Sequence, residues 1–526
     1  MTPERDAVPE VWGRAERCLA LISAGWLLLF VMLTLDRAPL TGDEAMLLSV
    51  SASFAERGVL GSGTLAGVYG GEDHYFLSWA GQHVLHYLPF RVMGPNATTG
   101  RALSVVMVAL LAVSTAWVAG RRSGALAAAL AVLLLVFWRN GIVSSSHGLT
   151  LVGVSRSVRY DATVAALMAA TMPLLAAWSR RPGMRSEIPL GVVVGAAIVT
   201  HFPALVLPFV LLLVWLLADR PRPPLASVVR VALIAGLVCA PYVAWVLAHA
   251  ADAAGQFSLV HGGRARAIGG IGELWANGLA EPGRYLALLE ARGLGPMLFV
   301  AAVPALALMA IVSLRRLDGG ARIAAVHLTA YIVFLALLEP TKAPIYALPL
   351  LAPVIILMSA PLARLVRLPS SLRWVGIGLL CAIVVEGAVA YGYDAHAMRG
   401  LARYDTMAAS IRAAAPAQTA WVGPMRWSWA FRHESYTALH VLWLRAQSAE
   451  PGGDDLRQPW LRTSPTALIE TPEWHADLAR LPERGRLFVV AVTEQCSTVA
   501  GRIEDRAYGP VVVRTIDRAC VAGLAD

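Results

Sequence analysis

Residues able to do acid–base or phosphate chemistry are few in this chain, and they gather at the ends of long apolar runs. Two adjacent acids, Asp43 and Glu44, stand in Thr41-Gly42-Asp43-Glu44-Ala45, just past the first apolar stretch. Two readings of that pair are open. Gly42-Asp43 is a good helix-cap sequence, and acids at a helix N-terminus stabilise it by roughly 0.3–1 kcal/mol. A carboxylate at a water–lipid boundary can also take the proton from an acceptor hydroxyl. Glu72-Asp73-His74 presents the same choice, with Asp73 and His74 as candidate substrate-positioning groups.

Lys342 is the only lysine; the other 43 of the 44 basic residues are arginines. Retention of one compact ammonium suits phosphate binding, where lysine offers a point charge and arginine a planar fork. The plain alternative is a lysine snorkelling to headgroups. Arg159 and Asp161 flank the start of an apolar run, where ionisable groups are costly unless paired or wet, so they form either a structural clamp or a substrate contact. His201, in Thr200-His201-Phe202-Pro203, is either a hydrogen-bonded structural residue or a positioning group. Arg264 and Arg266 lie in the glycine-rich stretch Gly262-Gly263-Arg264-Ala265-Arg266, read as a mobile loop that grips a phosphate or meets anionic headgroups. His83 and His86 stand at i, i+3 without a carboxylate at i+4 spacing, so no zinc motif and no metal site is assigned.

The elements that must position these groups are membrane helices. Hydrophobic residues make up 57% of 526 positions and charged residues 15%. Crossing a bilayer needs roughly 20 mostly apolar helical residues. Eleven stretches qualify as candidate spans, at roughly 18–35, 102–119, 124–138, 161–178, 187–200, 204–218, 228–248, 295–314, 322–338, 345–361 and 374–392. The first is read as an uncleaved span, since no small-x-small cleavage site follows it. Alternate loops carry short arginine clusters, such as Arg121-Arg122 and Arg364, Arg367 and Arg373. Positive charge is held on the cytoplasmic side. The N-terminus is then cytoplasmic, and loops 36–101, 139–160, 249–294 and 339–344 lie outside with everything after 393. The net charge of +9 therefore reads as topology and not as a nucleic-acid footprint.

Outer loop 36–101 holds two helical patterns, about 44–57 and 73–90, the second suited to lying in the interface. Beyond about 394 the composition turns polar, with β-like runs at Leu487–Val492 and Val511–Ile516. The expected architecture is an all-α polytopic membrane module (1–393) followed by a small mixed α/β extracytoplasmic domain (394–526). Cys496 and Cys520 can pair if that tail is extracytoplasmic, while Cys18, Cys239 and Cys381 lie in apolar spans.

The order of these pieces resembles the GT-C glycosyltransferases, in particular protein O-mannosyltransferases and the lipid A aminoarabinose transferase. The resemblance rests on Gly42-Asp43-Glu44-Ala45, Gly71-Glu72-Asp73-His74-Tyr75, Gly100-Arg101-Ala102-Leu103-Ser104, Arg159-Tyr160-Asp161 and Thr341-Lys342-Ala343-Pro344-Ile345-Tyr346-Ala347-Leu348-Pro349. It covers nearly all of the membrane portion, whereas the tail matches in position only. The family's common Lys-Pro-Pro after the second acid is replaced by His74-Tyr75-Phe76. The resemblance implies an inverting transferase of the plasma (inner) membrane, using a polyprenyl-phosphate-linked sugar and a cell-envelope acceptor that is a lipid, glycan or protein. It implies Asp43 as general base with Glu44 beside it, and Lys342, Arg264, Arg266 and Tyr346 at the donor phosphate. It also implies Asp73, His74, Arg159, Asp161 and His201 in positioning roles. Some branches use a divalent metal through acids like Asp43 and Asp73, so that cofactor stays open. The competing reading is a polytopic transporter or lipid flippase, which would place its polar site near the bilayer midplane.

Overall fold

The computed structural model describes residues 14–35, 40–138, 156–218, 222–289, 294–313, 317, 319–397, 403–417, 419–447, 466–505 and 508–524. Most of the outer loop expected at 139–160 lies outside the described residues. All eleven apolar stretches fall on helices. Seven helices among the described residues are long and apolar enough to cross a membrane: Glu16–Leu33, Ala97–Ser123, Tyr160–Arg180, Leu225–Ala248, Gly319–Leu338, Pro344–Arg367 and Leu372–His396. Ala125–Phe137, Phe202–Leu217 and Met297–Met309 are shorter apolar helices. The remaining stretch, the helix Met184–Thr200, has 17 residues and carries Glu187, which is buried against Arg230 at 2.6 Å.

The first outer loop folds back on the bundle through two helices. Gly42–Arg57 starts at a full capping box. The Glu44 N–H donates to Thr41 Oγ1 at 3.2 Å, and the Thr41 N–H donates to Glu44 Oε2 at 3.1 Å. Glycine in the left-handed conformation at Gly58 (φ 73°) ends it. The second helix spans Gly81–Met93 and not 73–90 as expected. Residues before it give their backbone donors elsewhere: Tyr75 N–H to Leu60 O and Phe76 N–H to Gln256 Oε1, each 2.7 Å. A buried hydrogen-bonded trio, Ser51 with His83 (2.8 Å) and His86 (3.3 Å), locks the two helices together.

A second correction concerns the glycine-rich stretch. It is no mobile loop but the last turns of the helix Ala250–Arg266, followed by Ile271–Leu289. Each interior glycine costs roughly 1 kcal/mol of helix stability. Docking offsets that cost: Gln256 also donates to Tyr69 O (2.9 Å) and His74 O (2.6 Å). A Cβ on Gly255 would meet the Tyr69 ring at 2.4 Å, so only glycine allows this approach.

The tail carries a five-stranded sheet in the order β2-β1-β3-β5-β4, with β1 Ala420–Gly423, β2 Tyr436–Ala438, β3 Thr466–Glu470, β4 Ser497–Asp505 and β5 Gly509–Ile516. β1 is parallel to β2 and β3, and β5 is antiparallel to β3 and β4. The run Val511–Ile516 is a strand as expected, but Leu487–Val492 is a helix, Glu483–Gln495. Burial there follows the helical period through Gly485, Val489 and Val492, with Leu487 left exposed, and that face packs beside Trp474 and Leu481. Cys496 and Cys520 are disulfide-bonded, tying the helix 483–495 to the last helix, Arg518–Gly523. The tail shares a core with the first outer loop, in which Leu47 and Leu48 pack with Tyr404, Met425, Trp427 and Phe431. It is seated directly over the start of the helix 42–57, where a Cβ on Gly42 would lie 3.2 Å from Met425 Cβ.

Candidate active site

The capping box separates the two acids that the sequence pairs. Glu44 points inward and is 2% exposed. Its carboxylate accepts from Arg101 Nε at 3.2 Å, from Arg101 Nη2 at 3.4 Å and from the Val158 N–H at 2.8 Å. Arg101 also donates to Leu35 O at 2.7 Å. Glu44 therefore fastens the outer loop to the ends of three apolar segments. Asp43, one residue earlier, faces out and is 63% exposed.

Arg159 Nη1 reaches Asp43 Oδ2 at 3.1 Å while its Nε donates to Asp161 Oδ2 at 2.9 Å. Burial works against the charge on Arg159, but Asp161 and Asp43 outweigh it and hold the guanidinium above its ordinary pKa. Next in the chain, the Tyr160 ring lies 4.0 Å from that of His201, which lies 5.7 Å from the ring of Tyr346. Arg264 Nη2 donates to Tyr346 Oη at 3.4 Å, and its guanidinium sits 5.8 Å from the Tyr346 ring and 6.0 Å from that of Phe202. Asp43, Arg159, Asp161, His201, Tyr346 and Arg264 thus form one continuous cluster.

His201 is buried, and among the described residues neither of its ring nitrogens has a hydrogen-bond partner. Burial, then the charges of Arg264 and Arg159 and the nearby His261, push its pKa well below the ordinary value, so the imidazole is neutral. His261 is lowered to about 4 by burial and Arg264. Tyr75 is raised by burial, with a smaller push from the Asp43 carboxylate, so it stays a neutral phenol near the cluster.

Beside Arg264 opens a cavity of about 790 Å³, lined by Ser258, Arg264, Arg266 and Thr341 on the membrane side and by Trp443 and Gln447 of the tail. Lys342 adjoins it in sequence, yet its ammonium is engaged elsewhere. Nζ lies 3.1 Å from Glu281 and donates to Leu335 O and Ala336 O at 3.0 and 2.9 Å. Glu281 and Glu339 also hold the fully buried Arg284. Lys342 adopts a left-handed φ of 54°, a backbone state uncommon outside glycine, so the turn carrying it is strained.

Asp73 and His74 lie apart from the cluster. Asp73 is exposed, and His74 Nδ1 pairs with Asp252 at 2.9 Å and stacks on His249 at 3.6 Å between ring centroids. The ligand atoms of His74, His249 and Asp252 all lie within 4.8 Å of one another. Two imidazoles and a carboxylate are a donor set that suits zinc or a similar divalent ion, once the stacked rings open toward a common point. Sequence reading missed His249, Asp252, Gln256, His261 and Glu281; Asp252, Gln256 and Glu281 take partners from distant segments, namely His74, Phe76 and Lys342. His261 could have been found by its i, i+3 spacing to Arg264.

No protein-family profile matches the chain, and no curated protein matches it in sequence. Solved structures do match in fold. ArnT from Cupriavidus metallidurans bound to undecaprenyl phosphate superposes with a TM-score of 0.63 at 14% identity, covering 94% of this chain and 97% of that one. The archaeal oligosaccharyltransferase AglB from Archaeoglobus fulgidus, in complex with an inhibitory peptide and a dolichol-phosphate, gives 0.56 at 12% identity over 92% and 72%. The same AglB in complex with Zn and sulfate gives 0.54 at 12% over 88% and 69%. Over nearly its whole length, this chain has the fold shared by ArnT and AglB.

Proposed function

We propose that the protein is a membrane glycosyltransferase that moves a sugar from a polyprenyl-phosphate carrier to a hydroxyl of a cell-envelope acceptor, on the outer face of the inner membrane. The observation that carries this reading is the unbroken cluster from exposed Asp43 through Arg159 and His201 to Tyr346 and Arg264, with Arg264 also lining a cavity. Neighbours of the same fold hold undecaprenyl phosphate and dolichol-phosphate. The basic connecting loops support a cytoplasmic N-terminus, and the Cys496–Cys520 disulfide supports a tail in an oxidising compartment.

The acceptor hydroxyl attacks the anomeric carbon while Asp43 takes its proton. The bond from that carbon to the phosphate oxygen breaks, and polyprenyl phosphate leaves with the electron pair. One displacement inverts the configuration. Arg159 orients the Asp43 carboxylate. The transition state of glycosyl transfer is oxocarbenium-like, and the attacking hydroxyl becomes acidic as its bond forms, so a carboxylate can take its proton. Arg264 and Tyr346 meet the charge developing on the leaving phosphate, and neutral His201 offers its unpartnered nitrogens to sugar or phosphate oxygens. Lys342 joins them by exchanging Glu281 for phosphate. Glu44, through Arg101, fixes where Asp43 stands.

The test is Asp43→Asn in purified protein given a panel of polyprenyl-phosphate sugars, following polyprenyl-phosphate release. Loss of a general base lowers turnover by about 10²–10⁴-fold. Turnover near that of the wild type ends the assignment of Asp43. A divalent ion on His74, His249 and Asp252 would tether the first outer loop to the helix 250–266 and so steady Arg264. Zinc titration by calorimetry is expected to show one site that His249→Ala removes; heat unchanged by that substitution refutes it.

A further inference from the structure

The helix Leu439–Gln447 of the tail is short, and its two sides differ. Leu439 and Leu442 are fully buried in the tail, whereas His440, Trp443 and Gln447 share the other side at i, i+3 and i+7. That side meets the catalytic surface. Trp443 and Gln447 line the cavity together with Arg264 and Arg266. The His440 ring lies 5.2 Å from Trp443, and the Asp43 carboxylate is close enough to act electrostatically on that imidazole. Among the described residues, neither the Trp443 indole N–H nor the Gln447 amide has a hydrogen-bond partner.

We propose that this face of the tail is a saccharide-binding platform, on which the acceptor's sugar ring stacks against Trp443 and hydrogen-bonds to Gln447 with its hydroxyl turned toward Asp43. The proposal rests on the transferase reading above and deepens it by naming the acceptor's chemical class.

The lining chemistry is what favours a saccharide. An indole face is electron-rich and amphipathic, which suits the C–H-bearing face of a pyranose. A primary amide, two hydroxyls (Ser258 and Thr341) and two guanidiniums supply donors and acceptors for ring hydroxyls. The charged groups lining the cavity among the described residues are Arg264 and Arg266, which suit a neutral or anionic occupant. At about 790 Å³ the space falls within the roughly 300–1,000 Å³ of small-molecule sites. Arg264 touches both this cavity and Tyr346, so it stands between the proposed acceptor site and the rest of the cluster.

The test uses the full chain in a detergent without a sugar headgroup. One measurement is equilibrium binding of undecaprenyl phosphate. The other is saturation-transfer NMR with cellobiose, mannobiose and N,N′-diacetylchitobiose, with the tripeptide Ala-Ser-Ala alongside. At least one disaccharide is expected to bind the wild type. Its affinity should fall roughly tenfold in Trp443→Ala and be kept in Trp443→Phe, with undecaprenyl phosphate binding unchanged in both. Gln447→Ala removes an exposed side chain without touching the core and should weaken the same disaccharide several-fold. Disaccharide binding that is absent, or unaltered by Trp443→Ala and Gln447→Ala, overturns the platform. So does binding of the tripeptide alone. Loss of undecaprenyl phosphate binding in Trp443→Ala assigns the cavity to the donor. Failure of the wild type to bind undecaprenyl phosphate counts against the transferase reading and leaves the saccharide result to stand by itself.

Discussion

Adjacent residues of the same type meet opposite fates here. The Asp43 and Glu44 side chains point about 100° apart around a helix, so when one faces water the other can turn into the protein. Glu44 is buried beside Arg101, and both are 2% exposed. Breaking a buried ion pair by removing one partner costs about 3–5 kcal/mol. Glu44→Gln is therefore expected to lower thermal stability in detergent sharply. A melting temperature within a degree of the wild type would show that Arg101 does not need this carboxylate. The capping and catalytic readings of the pair are thus not exclusive: the cap belongs to Glu44, and the exposed carboxylate to Asp43. Lys342 is the opposite case. Its rarity made it conspicuous, but rarity says nothing about the neighbouring Glu281, which binds its ammonium at 3.1 Å.

Buried polar contacts as well as an apolar core hold the elements around the site together. His83 and His86 sit between two helices with Ser51, and burial lowers their pKa values to about 3 and about 4. His261 lies at about 4, lowered by burial and Arg264. The unfolded chain takes up protons near the ordinary value of about 6.5, while the folded protein refuses them until far lower pH. These histidines thus favour the folded state fully above about pH 6.5, and that contribution is lost as pH falls toward 4. Thermal unfolding should drop in temperature between pH 7.5 and 5, with a shallower drop in His83→Gln. A midpoint that holds steady or rises on acidification contradicts this. At the same scale, sequence periodicity found Gly42–Arg57 and the apolar helices well. It misplaced the start of Gly81–Met93 and mistook the last turns of Ala250–Arg266 for a loop. Both errors sit where Gln256 and Gly255 dock on Tyr69–Phe76, a contact between segments about 180 positions apart.

For the molecule as a whole, the tail packs on the loop that carries Asp43. Met425 and Trp427 share a core with Leu47 and Leu48, and Trp443 lines the cavity beside Arg264. The Cys496–Cys520 bond closes a loop with a sequence separation of 24, for which chain-entropy arguments give roughly 3–4 kcal/mol. A Cys496→Ser/Cys520→Ser variant should leave the membrane helices folded but make the tail sensitive to protease at lower temperature, with transfer falling in parallel. Unchanged protease resistance would show that the sheet and its helices hold the tail without the bond.

The sequence alone determined the apolar helices, the two helical segments of the first long loop, the mixed tail and the identity of most cluster members. Those properties follow from local composition: apolar length, basic loop ends and acids beside a cap. It could not tell that Glu44 turns inward, that Lys342 meets Glu281, that 487–492 is a helix, or that Trp443 and Arg264 line one cavity. Each of these depends on which distant segment supplies the partner. Burial and pairing energies exceed local propensities of a few tenths of a kcal/mol, so the tertiary contact decides.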